Sequence, residues 1–369
     1  MDRRSFLKTS ALGGTAAAAS TLAAPAVAQG RITWRMVTTW PRNFPGLGTG
    51  AQRVADRINA AADGALTIEV FAAGEMVPAL QSLDAVIDGS AEMSHGAAYY
   101  WMNKSQGLGF FTGVPFGMTS RELAAWIRYL GGQELWDDIY DDFGLVGFMS
   151  GDTGTQAGGW FREALSGIDD IQGLRFRTPG LGGQCWQKMG ASVTNLAGGE
   201  IFAALQSGAL DAAEFVGPYN DRALGFHQVR SHYYTSSFIE PGLATEVAVD
   251  KAKFMELPAN LQGIIRDVCQ AEYDQVPSEF YANDPIALAD MVDNHGVTVH
   301  KDWPESILEA GAKAAREIIE EILDSGDAKT KATAESFVKN LNLLRTRTEN
   351  TDLTFAIARE KYFDISDLG

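Results

Sequence analysis

The chain has 369 residues, near the size at which one hydrophobic core gives way to two domains, and 46% hydrophobic with 21% charged residues marks a globular protein with a large core. Its 47 acidic and 30 basic side chains leave a formal charge of -17, and with no basic stripe this excludes nucleic acid as an expected partner. Two cysteines, Cys185 and Cys269, are too few for a disulfide framework or a thiolate metal cluster, and the five histidines (His95, His227, His232, His295, His300) show no HExxH or similar ligand spacing.

The chain opens with Asp2-Arg3-Arg4-Ser5-Phe6-Leu7-Lys8, a twin-arginine pattern. The run from Thr9 to Leu22 is Ala/Gly/Thr-rich and broken by Gly13 and Gly14, too weak to hold a bilayer as a permanent span. Ala26-Val27-Ala28 supplies an A-x-A cleavage pattern with Gln29 as the mature start, so residues 1–28 are expected to be a twin-arginine signal peptide. That leader holds Asp2, Arg3, Arg4 and Lys8, a net +2, and its removal leaves a mature charge of -19. No later stretch approaches 18 consecutive apolar residues, so the mature chain is expected to be soluble and periplasmic.

Ile32 to Val37 alternates as a first strand, and Thr38-Thr39-Trp40-Pro41 leaves it as a loop. Val54, Ile58 and Ala61 predict a helix from about Gly48 to Ala62, ended by Asp63-Gly64. Leu66 to Phe71 is a second strand, and this strand–helix–strand order argues for an α/β fold. Pro78 then starts a helix through Leu80, Leu83, Val86 and Ile87 that stops at Gly89. The stretch Ala85 to Met93 recurs in outline as Ala204 to Ala212, an offset of 119 residues. Each copy reads as helix, glycine and short strand, with an acidic residue three after the glycine. A strand at Leu174 to Thr178 precedes the second copy, so two α/β lobes of similar design are expected, with a ligand between them. Further on, Asp302-Trp303-Pro304-Glu305 reads as an N-cap, early proline and capping-box acid. Ile307, Leu308, Ala312, Ala315, Ile318, Ile319 and Ile322 follow at helical spacing, with Gly311 on the same stripe. Phe337, Leu341 and Leu344 continue it past Asp324-Ser325-Gly326. That stripe suits core packing on the lobes or contact with a second subunit.

No GxSxG, Walker A or GxGxxG motif stands between a strand and a helix. Asp152-Thr153-Gly154 resembles an aspartic-protease tripeptide, but no second copy exists and that chemistry needs two carboxylates. The polar residues that stand out lie at strand ends and loops of the second half. Gln156 follows the apolar run Gly144 to Met149, Glu214 follows a strand, and Glu240 precedes Pro241-Gly242. Arg177 ends a strand just before Thr178-Pro179-Gly180, where a guanidinium can clamp a carboxylate bidentately.

The leader, the strand Arg31 to Val37, the segment Leu174-Arg175-Phe176-Arg177-Thr178-Pro179 and the stretch Ala204 to Asp221 together resemble the substrate-binding protein of a tripartite ATP-independent periplasmic (TRAP) transporter. The resemblance covers the mature chain. It implies an α/β, two-lobed periplasmic binding protein fold with ligand in the interlobe cleft and a long C-terminal helix spanning the lobes. Lobe I would comprise 29–151 with about 241–290, and lobe II 152–240 with about 291–369 and the C-terminal helices. The arginine of the R-x-P segment is that family's carboxylate-binding residue, here Arg177. Gln156, Glu214, Gly217-Pro218-Tyr219-Asn220-Asp221 and Glu240 are most similar to the branch that binds 2-oxo acids and 2-hydroxy monocarboxylates with a metal ion. In that branch a glutamine and two glutamates surround the metal, which assigns Gln156, Glu214 and Glu240 as ligands and Phe215 through its main-chain carbonyl. Phe215 stands where tryptophan is expected. The ligand-binding residues are then Tyr99, Tyr100, Gln156, Arg177, Phe215 and Asn220; Tyr99, Tyr100 and Trp101, soon after the strand that follows Gly89, are the candidates to close over a small apolar tail.

Charge arithmetic accords with a metal. Glu214, Glu240 and Arg177 sum to -1, and a monocarboxylate makes -2, which is costly to bury. A hard cation with oxygen ligands resolves this. Sodium leaves -1 and calcium leaves zero, so electrostatics favours calcium while the resemblance favours sodium, which is placed first. The expectation is a periplasmic receptor for pyruvate, lactate or a similar acid, not an enzyme. The resemblance also implies delivery to small and large membrane subunits of the transporter, and a homodimer through the C-terminal helix. A dicarboxylate or sugar-acid receptor and a metal-dependent periplasmic enzyme acting on an oxo acid are the competing readings. Arg177→Ala is expected to abolish ligand binding and to leave the ligand-free melting temperature nearly unchanged.

Overall fold

The computed structural model describes residues 31–365; the predicted leader, 1–28, lies outside them. Eleven strands are described: β1 (Ile32–Thr38), β2 (Leu66–Phe71), β3 (Met93–Gly96), β4 (Leu145–Asp152), β5 (Gly159–Phe161), β6 (Arg175–Arg177), β7 (Ser192–Thr194), β8 (Ala212–Ala213), β9 (His232–Tyr234), β10 (Ala244–Asp250) and β11 (Thr298–His300). They form two sheets, β2-β1-β3-β10-β4 and β11-β9-β5-β8-β6-β7.

The two sheets repeat one design. β1 runs parallel to β2 and β3, and β6 runs parallel to β7 and β8. β10 is antiparallel to both β3 and β4, just as β5 is antiparallel to β8 and β9. Each sheet therefore takes one antiparallel strand that reaches it from the other sheet, through residues 153–158 and 235–243. The repeat extends to side chains: the acids Glu92 and Asp211 keep the offset of 119 residues, and each is held by an arginine of the neighbouring parallel strand. Arg35 on β1 clamps Glu92 with Nε (3.1 Å) and Nη2 (2.9 Å), and its N–H donates to the same carboxylate. Arg175 on β6 does the same to Asp211 (2.8 and 2.6 Å). Gly89 and Gly208, which end the paired helices, sit at φ 81° and 74°, where a side chain would be strained.

Helices cover both sheets. The predicted helix at 48–62 forms as Gly48–Ala61, burying Ala51, Val54, Ala55 and Ile58. A 37-residue helix, Ala259–His295, had no counterpart in the sequence reading. It packs on β4, on Gly48–Ala61 and on Pro218–Leu224, and so binds the two halves together. Asp302 does not cap the next helix, Glu305–Ser325; Pro304 holds that position without a side-chain bond. Glu305–Ser325 packs on Gly180–Lys188, and its Gly311 admits the Phe238 ring, which would lie 2.8 Å from any Cβ there. The following helix, Ala328–Arg347, is capped by Asp327, which accepts from the N–H groups of Lys329 and Thr330. It packs against Gln106–Phe111 and Gly132–Asp141, which belong with the first sheet. Cys185 and Cys269 are free and buried. Among the described residues no helix is long and apolar enough to cross a membrane.

Candidate functional site

Strand ends and the two crossing segments converge on one buried polar cluster. Arg177 is the last residue of β6, and Glu214 follows β8, its parallel neighbour. Arg177 has no solvent exposure and Glu214 only 1%. Arg177 Nη1 donates to the Glu214 carbonyl (2.8 Å) and to Glu214 Oε1 (2.9 Å), and Nε donates to the Leu196 carbonyl (3.0 Å). Nη2 has no hydrogen-bond partner among the described residues. The sequence therefore spends most of the guanidinium on orienting itself and leaves one nitrogen for a ligand. Phe215 packs under it, with Cζ 5.4 Å from the ring centroid, and meets Phe44 edge-on at 5.9 Å.

Gln156 and Glu240 come from the two crossing segments, which are bonded to each other. Gln156 N–H donates to the Glu240 carbonyl (3.1 Å), Ser237 N–H to the Gln156 carbonyl (3.0 Å), and Thr153 N–H to the Leu243 carbonyl (3.1 Å). Gln156 Nε2 donates to Thr153 Oγ1 (3.1 Å), which leaves Oε1 free to face another group. Gln156 Oε1, Glu214 Oε2 and both Glu240 carboxylate oxygens are buried with no hydrogen-bond partner among the described residues. Burial raises the Glu214 carboxyl above its usual range against the pull of Arg177. Burial and the neighbouring Glu214 charge raise that of Glu240 well above.

Tyr99 and Tyr100 join the same cluster from the turn Ala98–Trp101, with ring centroids 4.7 Å apart. Burial raises both phenols, and both feel the charges of Glu240, Glu214 and Arg177. Tyr99 lies against Gly180, whose φ of 63° strains any side chain and where a Cβ would fall 2.5 Å from Tyr99 Cδ2, so the position admits only glycine. Trp101, next in the turn, donates through Nε1 to the buried Glu246 (3.0 Å). Asn220 is placed differently. Its Nδ2 donates to the Pro45 carbonyl (2.8 Å), a bond from the second half to the loop after β1, and its Oδ1 is unpartnered. Its neighbour Asp221 accepts from Trp160 Nε1, Tyr233 OH and Val216 N–H, fixing the turn that carries Glu214 and Phe215. Asp152 of the Asp-Thr-Gly tripeptide is a structural group: it accepts from Ser120 Oγ, Gly154 N–H and Tyr273 OH.

These residues fit a hard cation beside an anion. Four unpartnered oxygens from an amide and two carboxylates are the donor set such a cation takes, and the free Arg177 nitrogen suits a carboxylate. Among the described residues no group of three or more His, Cys, Asp or Glu could hold a metal, so a site here depends on the Gln156 amide as well as the carboxylates. Thr153 and Asp221 were named from sequence only inside longer motifs, and Phe44 and Pro45 not at all. Thr153 lies three residues before Gln156 in a segment already singled out, whereas Phe44 and Pro45 gave no signal.

Two α/β units of one strand order, crossed twice by the chain and sharing a buried charged cluster at the crossings, define a two-lobed solute-binding protein. The chain belongs to the DctP family, bacterial extracellular solute-binding protein family 7, whose pattern matches residues 36–326. It is 37% identical over 326 residues to the monocarboxylate 2-oxoacid-binding periplasmic protein of Nostoc sp. strain PCC 7120, covering 87% of this chain and 89% of that protein. Among solved structures it resembles a TRAP periplasmic solute-binding protein from Pseudoalteromonas atlantica T6c, which has bound sodium and pyruvate. There the TM-score is 0.85 at 34% identity, over 89% of this chain and 99% of the other. A TRAP solute-binding protein from Colwellia psychrerythraea, with bound calcium and pyruvate, matches with a TM-score of 0.84, at the same identity and coverage.

Proposed function

We propose that this protein is a periplasmic receptor that captures a short 2-oxo or 2-hydroxy monocarboxylate, pyruvate first, together with one hard cation. The observation that carries this reading is the pairing of one free guanidinium nitrogen, on Arg177, with four unpartnered oxygens on Gln156, Glu214 and Glu240. Those three side chains and the Phe215 carbonyl would hold the cation, sodium first, with calcium the competitor. The cation supplies the positive charge that lets an anion enter a cluster of net charge -1. Arg177 Nη2 would bind the ligand carboxylate, and Tyr99 and Tyr100 would close over its short tail. The 2-oxo-acid relative and the two pyruvate-bound structures support the ligand class.

The lobes in this reading divide at the crossing segments: 29–151 with about 241–290, and 152–240 with about 291–327. The Ala328–Arg347 helix is assigned to the first lobe because of its packing there. Closure would bring Pro45 to Asn220 and Phe44 to Phe215. The closed receptor would hand its ligand, chemically unchanged, to the small and large membrane subunits, and the chain would reach the periplasm by the twin-arginine route. The last helix, Leu353–Tyr362, exposes Leu353, Phe355 and Ile357, which supports a homodimer through this end of the chain. Light scattering should find two copies, and one copy for Phe355→Asp.

A thermal-shift and calorimetry panel tests the ligand class. Pyruvate and lactate should bind saturably, dicarboxylates and sugar acids should not, and NMR should return pyruvate unaltered. Stronger binding of a dicarboxylate, or steady product formation, would overturn the reading.

A further inference from the structure

Of the five histidines only His95 is buried, at 1% exposure, and the cluster at Arg177 does not use it. It lies on β3, three residues before the turn Ala98–Trp101 that carries Tyr99 and Tyr100. Its ring accepts at Nδ1 from the indole Nε1 of Trp40 (2.8 Å), which is itself buried. Its main-chain carbonyl accepts from Thr39 N–H (3.1 Å). We propose that His95 is a positioning residue for ligand capture: by holding Trp40 it sets the two segments of the first lobe that close over the carboxylate. The inference rests on the receptor reading above and adds to it a residue that touches neither ligand nor cation.

Both segments meet at this hydrogen bond. The loop after β1 begins with Trp40 and continues to Phe44 and Pro45, which meet Phe215 and Asn220 of the other half. The Trp40 ring also lies against Tyr100 (centroids 6.3 Å apart, 58° between planes), which in turn lies against Tyr99. Loop and turn are packed tightly around β3: a Cβ at Gly96 would come within 3.3 Å of both Thr39 Cγ2 and Trp101 Cζ2. The adjacent strand β10 holds the far end of the same turn, through the bond from Trp101 Nε1 to Glu246. An indole N–H is a donor only, and buried away from water it needs an acceptor. A neutral imidazole offers one lone pair, and with Nδ1 accepting, the ring proton sits on Nε2. Burial pushes the His95 pKa down to about 4, helped by the Arg53 charge and opposed by the Ser150 main chain, so the lone pair is present throughout the neutral range. Without that acceptor, the loop and the turn lose their shared anchor in the ligand-free protein. Ordering them then opposes binding, although no contact to the ligand has been removed.

The test is pyruvate calorimetry in sodium buffer, with denaturant unfolding alongside, on the mature protein and four variants: His95→Leu, His95→Asn, Trp40→Phe and the double variant His95→Leu/Trp40→Phe. Leucine keeps the volume without the acceptor, whereas asparagine places an oxygen where Nδ1 stood, on a smaller side chain. Both His95 variants should be less stable than the wild type, so stability alone does not separate them. Affinity should: His95→Leu should lose about tenfold, the worth of one buried hydrogen bond, and His95→Asn less than about threefold. Trp40→Phe should lose about as much as His95→Leu, and the double variant no more than either, because each removes the same interaction. If His95→Leu does not fold, a full-affinity Trp40→Phe or a His95→Asn as weak as it still refutes the idea. Affinity of His95→Leu within about twofold of the wild type, equal losses in His95→Leu and His95→Asn, or losses that add in the double variant would overturn the inference and leave the receptor reading standing. No pyruvate binding by the wild type would overturn both.

Discussion

Arg177→Met removes a charge while keeping most of the side-chain length, and its effects on folding and on binding separate. In folding, the buried arginine loses three hydrogen bonds, to Leu196 O, Glu214 O and Glu214 Oε1. Breaking a buried ion pair costs about 3–5 kcal/mol when the remaining charge stays ionised. Burial already raises the Glu214 carboxyl, so on losing its partner it takes up a proton and the penalty falls. About 2–3 kcal/mol remains from the lost bonds, at about 1 kcal/mol each, and the ligand-free Tm should fall by several degrees. An unchanged melting temperature, expected from sequence for Arg177→Ala, is revised for the same reason: the arginine is a structural partner as well as a clamp. In binding, the lost charge-assisted contact to a carboxylate is worth at least about 3 kcal/mol in this buried setting, so pyruvate affinity should drop by roughly 150-fold or more. Calcium affinity in the absence of pyruvate should change little, because the proton taken up by Glu214 offsets the lost charge of Arg177 and is released when calcium binds. Calorimetry with each ligand reads both effects, and pyruvate affinity within about fivefold of the wild type would refute the assignment of Arg177.

Thr153→Val removes the acceptor that orients the Gln156 amide. Cation affinity should weaken about three- to tenfold, the worth of one hydrogen bond, with Thr153→Ser close to wild type; equal ion dependence in Thr153→Val and wild type would contradict this. Glu246 is buried and accepts from Trp101 Nε1 and Tyr140 OH (2.6 Å), and burial pushes its carboxyl up to about 7. The folded state then keeps a proton that the unfolded chain releases near 4.5, so stability should fall as pH rises from about 4.5 to about 7 and level off above. Glu246→Gln should be more stable than wild type at pH 8, by up to about 3 kcal/mol, and nearly equal at pH 5. Denaturant unfolding at the two pH values checks this, and a variant with no gain at pH 8 would refute it.

The first unit was legible almost residue by residue, because alternation and helix-ending glycines are local signals: Ile32 to Val37 became Ile32–Thr38, and Leu66 to Phe71 was reproduced. The internal repeat was visible as helix, glycine and acid, yet its two arginine clamps required knowing that β1 lies beside β3 and β6 beside β8. The Ala259–His295 helix was hidden although Leu261, Ile265, Cys269, Tyr273, Val276 and Phe280 step by three and four. Pro277 and Pro285 signal a break, and packing on both halves outweighs a penalty of about 3 kcal/mol apiece. Arg177, Gln156, Glu214 and Glu240 could be named because each ends a strand or sits in a crossing segment. The bond from Asn220 to Pro45 could not, since it exists only through tertiary packing.

The central claim is that a carboxylate and a cation bind together at Arg177, Gln156, Glu214 and Glu240. Calorimetric titration of the mature protein with pyruvate in sodium buffer, in calcium buffer and in buffer free of both tests it most directly. One pyruvate per chain should bind tightly with either ion and at least tenfold more weakly with neither. Equal affinity in all three buffers, or no pyruvate binding in any, would contradict the account.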